Sequence, residues 1–257
     1  MTSATPTPGT WIAALRSSHH HLRTVVKPLR PEDLRSRGYP SEWSIAQVLS
    51  HIGSGAEIMM LTLDAGLAGE EPPSRDAYPS IWDRWNAKSP DEQAADALAA
   101  DAALVAKIEA NAHSTAEFSL FGGVTDIGGL AGARLGEHAM HTWDVAVAVD
   151  PRESVRPEAV ALLLGRLDGI VGWSAKPSSW TGVVHVLTSD PAREFRLTLG
   201  EKSTLEPWTG GPADATLELP AEAFVRLVYG RLDNSHAPPV SATGIGVDDL
   251  RTVFRGF

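Results

Sequence analysis

The residues best suited to chemistry lie in one predicted helix, between Arg134 and Asp144. Glu137 and His141 are four positions apart, so their side chains project from the same helix face, one turn apart. Arg134 precedes Glu137 by three positions and Asp144 follows His141 by three, which places four polar side chains in one column. Apolar residues flank this column, and we therefore expect it to face the protein interior.

A divalent metal ion would account for such a column, because isolated charges are costly to bury. The ion would take Glu137 and His141 as ligands, while Arg134 and Asp144 would orient those ligands from behind. A third ligand is expected from a facing helix, where helical bundles build their metal centres. His51, at the edge of an earlier apolar stripe, is the best candidate. Two histidines and one carboxylate with open positions form a ligand set of catalytic zinc sites.

Simpler interpretations of the same residues stay open at this point. A glutamate and a histidine at this spacing often form a solvated pair, and a histidine such as His51 is often a hydrogen-bonded core residue. Asp144 has a rival role as a buried partner of Arg134 or of a tryptophan N–H. In the run of three histidines that begins at His19, the first could face inward and its two neighbours face solvent. His138 lies off the column and is interpreted as a surface or packing residue.

The elements that must position these residues are mostly helices. Apolar spacing predicts helices over 11–29, from 45, from 90, over about 130–149 and over about 157–172. Capping boxes begin at Ser44 and at Ser89. Alternating patterns then predict strands around 184–186, 195–199 and 215–219, followed by helices from 220 and over 248–254. The fold class is mainly α and then α+β, with domains over 1–174 and 175–257.

Composition narrows the function classes. The 257 residues are 43% hydrophobic, carry a net charge of −10 and include no long basic run, which argues against nucleic acid and anionic membranes as partners. No apolar stretch approaches the roughly 18 residues of a membrane span. The start at Met1 lacks the pattern of a secretion signal, which predicts a cytoplasmic protein with a short loose tail. Because the chain has no cysteine, any thiol chemistry requires an external thiol.

Two motifs resemble those of a known family. The stretch from Trp43 to Ile52 is similar to the second-helix motif of DinB-like bundles, in which a histidine binds metal. The column and the following Trp143 resemble a motif of the mycothiol-dependent maleylpyruvate isomerase family. This resemblance implies a DinB-like four-helix bundle followed by a small sterol-carrier-like α+β domain, in which a helix ends at Gly230-Arg231. It also implies His51, Glu137 and His141 as the metal ligands.

The resemblance further implies Zn²⁺ or another divalent metal, with mycothiol as the thiol. A metal-bound thiolate would add to the cis double bond of maleylpyruvate, and rotation and elimination would release fumarylpyruvate. The substrate is a dianion, so cationic catalytic residues are expected, with Arg231 as the first choice and Arg84 as the second. An exposed arginine is the simpler interpretation of either residue. The stretches 66–79 and 121–129 are candidates for shaping the substrate pocket.

Other functions remain open for the same motifs. A mycothiol S-transferase would use the same metal and thiol on other electrophiles. A non-catalytic protein that binds a lipid or other small molecule would keep the metal as a structural element. Oxygen-dependent or hydrolytic chemistry at the same ligand set is a further option. In the enzymatic alternatives that use a thiol, the partners are a small electrophile and a low-molecular-weight thiol.

Overall fold

The computed structural model describes residues 5–39, 42–120 and 122–256. Its chain divides into two compact units, the first ending at Ala159 and the second beginning at Val160. The sequence placed the domain boundary later, between residues 174 and 175. The last helix before that position packs within the second unit, against a helix and a strand found there. Residues 1–4 of the predicted tail and Phe121 of the predicted pocket stretch lie outside the described ranges.

The first unit is helical. Its elements are α1 (Pro8–Val26), α2 (Pro31–Leu34), α3 (Ile45–Ala68), a 3₁₀ turn (Arg75–Ala77), α4 (Tyr78–Asn86), α5 (Pro90–Ala110), β1 (Phe118–Leu120), β2 (Gly123–Thr125) and α6 (Ile127–Val149). Helix α1 packs against α5 and α6, and α3 packs against the same two helices, which makes a four-helix bundle. Helix α4 lies against α3.

Local signals set the ends of the long helices. The hydroxyl of Ser44 accepts the Gln47 N–H at 3.2 Å, and the Gln47 side chain accepts the Ser44 N–H at 2.8 Å. Ser89 and Glu92 form the same reciprocal cap before α5. Both predicted capping boxes are confirmed. The antiparallel hairpin of β1 and β2 and the helix α4 were not predicted.

The apolar stripe of α3 forms the centre of the first unit's core. Ile45, Val48, Leu49 and Ile52 of this stripe are at most 1% exposed. Each such side chain contributes about 1.5–3 kcal/mol when it is fully buried. The stripe therefore fixes which face of α3 turns inward and where His51, beside Ile52, leaves the core.

The second unit contains a sheet covered by helices. Its elements are α7 (Pro157–Leu163), which begins in the first unit, a 3₁₀ turn (Leu164–Arg166), α8 (Leu167–Ser174), β3 (Gly182–Ser189), β4 (Arg193–Leu199), β5 (Thr204–Pro207), β6 (Ala215–Pro220), α9 (Ala221–Val228), β7 (Ser241–Thr243) and α10 (Val247–Val253). The strand order is β5-β4-β3-β6-β7, and only the β3–β6 pair is parallel among the pairs of this sheet. One predicted helix over 157–172 is divided by the 3₁₀ turn, and the short strands β5 and β7 were not predicted.

Alternation along the strands gives this sheet one buried face. Val184 and Val186 on β3 are fully buried, as are Leu197 on β4 and Leu217 on β6. The predicted order of a mainly helical region followed by an α+β region is confirmed. Among the described residues, none of the helices combines the length and the hydropathy that crossing a membrane requires.

Candidate metal centre

Helices α3 and α6 bring together the three predicted metal ligands, which we call the open cluster: His51, Glu137 and His141. The Glu137 Oε2 atom lies 3.6 Å from Nε2 of His51 and 3.6 Å from Nε2 of His141. All three donor atoms lie within 4.8 Å of one another. Metal–ligand bonds of about 2.0–2.2 Å at tetrahedral angles separate ligand atoms by about 3.3–3.6 Å. This spacing fits a four-coordinate cation.

The open cluster is reachable from solvent. The side chains of His51 and Glu137 are 37% and 43% exposed, whereas that of His141 is 12% exposed. The His51 and His141 rings meet edge to face with their centroids 4.5 Å apart. The Trp43 ring, 38% exposed, lies 5.5 Å from the His51 ring and forms an apolar wall beside it. A small molecule could therefore approach the donor atoms from the solvent side.

Asp144 orients His141. Its Oδ2 atom lies 2.8 Å from His141 Nδ1, and the Asp144 side chain is fully buried. A carboxylate oxygen beside Nδ1 favours the tautomer that is protonated on Nδ1, which directs Nε2 towards Glu137. This is the arrangement expected of a carboxylate that holds a histidine ligand in place. The indole N–H of Trp143, beside Asp144 in the sequence, donates to the Glu153 carbonyl at 3.1 Å.

The protonation states of the open cluster also suit a cation. Burial lowers the pKa of His51, and the nearby Glu137 carboxylate only partly offsets that effect. Burial alone would raise the pKa of the Glu137 carboxyl, but the imidazoles of His141 and His51 outweigh it and hold this pKa well below its usual value. A neutral imidazole and an ionised carboxylate are the forms that bind metals. The residues present therefore fit a divalent ion.

Arg134 makes its hydrogen bonds away from the three proposed ligands. Its Nη2 atom donates to Asp101 Oδ1 at 2.8 Å and to the Ile52 carbonyl at 3.0 Å. The sequence predicted that Arg134 would orient the ligands directly, whereas its hydrogen bonds go to α5 and to the backbone of α3. Its position reflects the full burial of the Asp101 carboxylate, which needs a cationic partner.

Asp101 is the centre of a second group, which we call the buried cluster: His19, Asp101, Arg134 and His138. Oδ2 of Asp101 lies 2.7 Å from His19 Nδ1 and 2.8 Å from His138 Nε2. The Ser18 hydroxyl lies 2.8 Å from Nδ1 of His138. Asp101 and His138 are fully buried, and the side chains of His19 and Arg134 are 8% and 4% exposed.

The buried cluster has the geometry of a hydrogen-bonded network. The distances of 2.7 and 2.8 Å from the imidazole nitrogens to Asp101 are shorter than the separation of about 3.3 Å between two ligands of one tetrahedral ion. The guanidinium of Arg134 already balances the carboxylate charge. Burial would raise the pKa of Asp101, but His138, Arg134 and His19 hold it well below its ordinary value. Of the two clusters of histidine and carboxylate side chains found among the described residues, we therefore take the open cluster as the candidate metal site.

Sequence reasoning missed Asp101, although a signal for it exists. Asp101 lies on the buried stripe of α5, between Ala97 and Leu104, which are both fully buried. A charged residue at such a position is rare without a partner and indicates a buried ion pair. His19 faces inward as one interpretation allowed, and His138 packs in the interior.

The two predicted cationic residues lie in different surroundings. The guanidinium of Arg84 forms an ion pair with Glu57 of α3, and the other oxygen of Glu57 accepts the Trp85 indole N–H at 2.7 Å. Arg231, in the second unit, is 8% exposed and donates from Nη1 to the Tyr229 carbonyl at 2.7 Å.

Comparisons with known proteins identify the family. The family model described as the mycothiol maleylpyruvate isomerase N-terminal domain matches residues 15–146, which include the whole open cluster. A second model, described as the MDMPI C-terminal domain, matches residues 157–251. The chain belongs to the mycothiol-dependent maleylpyruvate isomerase family. The resemblance stated from the motifs is thus confirmed.

Solved structures agree with membership of the mycothiol-dependent maleylpyruvate isomerase family at the level of the fold. A crystal structure of the mycothiol-dependent maleylpyruvate isomerase superposes with a TM-score of 0.68 and covers 95% of this chain and 96% of that chain. A histidine-to-alanine mutant of that isomerase gives the same values. Sequence identity is 16% in both comparisons, so the likeness concerns the fold. No curated protein sequence matches the chain.

Proposed function

We propose that this protein is a metal- and mycothiol-dependent enzyme that joins a thiol to an electrophilic small molecule. The observation that carries the proposal is the convergence of two imidazoles on one carboxylate at 3.6 Å, in a position open to solvent. The family supports mycothiol as the low-molecular-weight thiol. The absence of cysteine from the chain agrees with a thiol supplied from outside.

Each residue of the proposed centre has a separate task. His51 and His141 offer ring nitrogens, the neutral form of His51 being favoured by burial, and Glu137 offers negative charge. Asp144 keeps the His141 ring turned so that Nε2 is directed towards Glu137. Zn²⁺ or another divalent ion held by these residues would lower the pKa of a bound thiol towards neutrality. The Trp43 ring, 5.5 Å from the His51 ring, would restrict the approach of a substrate on that side.

For the reaction, we propose cis–trans isomerisation of maleylpyruvate to fumarylpyruvate, the type reaction that the family suggests. A thiolate that adds to the cis double bond lowers its bond order, and rotation followed by elimination gives the trans product and returns the thiol. The chain must then stabilise a dianionic substrate, for which cationic groups are needed. Arg84 already pairs with Glu57, so it is the weaker of the two predicted cations.

The role of Arg231 rests on the resemblance and is tested by substitution. We expect Arg231→Ala to lower turnover of the dianion while the metal content stays at the wild-type value, because a lost cation weakens substrate binding alone. Arg231→Lys is the matched control and should retain part of the activity. Steady-state kinetics with parallel metal analysis would measure both, and an unchanged rate in Arg231→Ala would remove this residue from the site.

A thiol-dependence assay tests the proposed function itself. Purified, metal-loaded protein is incubated with maleylpyruvate or with a generic electrophile such as a chlorinated dinitrobenzene, with and without mycothiol. Conversion of maleylpyruvate that needs mycothiol but does not consume it supports the isomerase. Consumption of mycothiol with the electrophile alone indicates a transferase. Metal-loaded protein that is equally active without thiol, or inactive in all four mixtures, would overturn the proposal.

A further inference from the structure

The buried cluster connects the helices of the bundle at one point. His19 belongs to α1, Asp101 to α5, and both Arg134 and His138 to α6. The fourth helix, α3, enters through its backbone, because the Ile52 carbonyl accepts from Arg134 at 3.0 Å. The Asp101 carboxylate therefore contacts side chains of α1 and α6. Through the Arg134 guanidinium it is also connected to the backbone of α3.

The connection to α3 occurs beside a proposed metal ligand. Ile52 directly follows His51, and Arg134 lies one helical turn before Glu137 and His138. A Cβ atom built on Gly55 would lie 3.0 Å from Nη1 of Arg134, so the guanidinium is seated against the α3 backbone at a residue without a side chain. The hydrogen bond to Ile52 thus spans α3 and α6 close to the open cluster.

Asp101 leaves this guanidinium little freedom. Its Oδ1 accepts from Arg134, while Oδ2 faces His19 and His138 at 2.7 and 2.8 Å. The carboxylate is fully buried, so water does not compete for these bonds. In this low-dielectric interior, a shift of the guanidinium would leave the buried carboxylate without its cationic partner, which restricts Arg134 to its present position.

We propose that Asp101 is a positioning residue of the metal centre. Through Arg134 and the Ile52 carbonyl it sets the spacing of α3 and α6, and with it the separation of His51 from Glu137 and His141. The inference rests on the proposed function in one respect, since it assumes that the open cluster binds a metal. Asp101 itself touches none of the three proposed ligands among the described contacts.

The test compares metal binding with stability in variants that contain no unpaired buried charge. The double variant Asp101→Asn/Arg134→Met removes both charges, and such neutral replacements of a buried pair commonly fold. Leu104→Ala is the matched control, because Leu104 is fully buried on the same helix one turn away but makes no polar contact with the cluster. The probe is Co²⁺, whose visible absorption reports ligand geometry and whose affinity is measured by competition with a chelator.

We expect the double variant to bind Co²⁺ about tenfold or more weakly and with an altered absorption band, in the range seen when outer partners of metal ligands are removed. Leu104→Ala should melt at a lower temperature yet keep the wild-type affinity and band. Wild-type affinity and band in the folded double variant would overturn the inference and leave the proposed function intact. Failure of the wild-type protein to bind either Co²⁺ or Zn²⁺ would instead remove the metal centre.

A second variant keeps the inference testable if the double variant does not fold. Gly55→Ala retains every charge but presses a methyl group on the Arg134 guanidinium, which must shift to accommodate it. We expect a several-fold weaker Co²⁺ affinity and a changed absorption band. Binding identical to that of the wild type would show that the seat of Arg134 on α3 does not govern the metal centre.

Discussion

The open cluster and the buried cluster both combine histidines with a carboxylate, and both use residues of α6. In the open cluster the donor atoms lie 3.6 Å apart around Glu137, and the side chains are up to 43% exposed. In the buried cluster the corresponding distances are 2.7 and 2.8 Å around Asp101, which is fully buried and paired with Arg134. The same residue types are thus suited to metal binding in one place and to internal hydrogen bonding in the other. The two clusters differ in the spacing of their donor atoms, in their access to solvent and in whether a cationic side chain already pairs with the carboxylate.

The largest expected effect is a loss of metal binding with little change in stability. His51→Ala should weaken metal binding by more than about a hundredfold, beyond the range for residues that only orient ligands. The metal-free protein should change in stability by less than about 1 kcal/mol, because the His51 side chain is 37% exposed. Metal analysis and urea unfolding would measure the two quantities. His20→Ala, which removes an exposed histidine of α1, is the control. Stoichiometric metal in His51→Ala would contradict the ligand assignment.

The opposite result is expected in the buried cluster. Arg134→Met leaves the Asp101 carboxylate buried without its cationic partner, which should cost about 3–5 kcal/mol of unfolding free energy. Arg84→Ala breaks the exposed pair with Glu57 and should cost less than about 1 kcal/mol. Denaturant unfolding of the metal-free proteins would compare them. Equal losses in the two variants would mean that the buried pair is not a stabilising element.

A smaller effect is expected behind His141. Asp144→Asn keeps the size of the side chain but removes the charge that fixes the His141 ring. Metal affinity should fall by about ten- to a hundredfold, while the three ligands stay present. Isothermal titration with Zn²⁺ would give the affinity. If the affinity is that of the wild type, Asp144 acts in packing and the open cluster is complete without it.

The smallest expected effect is that of pH on the free energy of unfolding, and it should begin only in acid. The pKa of Asp101 is held well below 3.8, so the folded state favours the ionised carboxylate. Its contribution is fully present above the unfolded pKa of about 3.8 and is lost as pH falls through the lower folded pKa. The stability difference between wild type and Asp101→Asn/Arg134→Met, measured by urea unfolding, should therefore become smaller below about pH 4, because only wild type has this carboxyl to protonate. A difference that is constant down to pH 3 would show that this carboxyl does not govern acid stability.

The sequence allowed the prediction of features that depend on near neighbours. The capping boxes at Ser44 and Ser89 and the one-turn spacing of Glu137 and His141 are local, and the structure contains all of them. The convergence of His51 on that pair was inferred from the edge of an apolar stripe and supported by the family resemblance, because no local rule relates two residues 86 positions apart. Whether these three side chains bind a metal remains a prediction.

Features that depend on tertiary contacts were harder to predict from the sequence. Arg134 was assigned to the column by its spacing, but its direction depends on a carboxylate on another helix, Asp101. The strands β1 and β2 are three residues long and have little apolar pattern, and so the hairpin was not recognised. The division between Ala159 and Val160 depends on which unit α8 packs in, and helical periodicity carries no information about that choice.

The pairing of the buried Asp101 carboxylate with Arg134 has a consequence for the order of assembly. In small zinc domains metal binding supplies the free energy of folding, so the polypeptide does not fold before it binds the metal. Here the buried charges of Asp101 and Arg134 pair with each other. The proposed metal ligands are the partly exposed side chains of the open cluster. The polypeptide is therefore expected to fold first and to load metal afterwards. It should also survive metal starvation as a folded protein that regains activity when the ion returns.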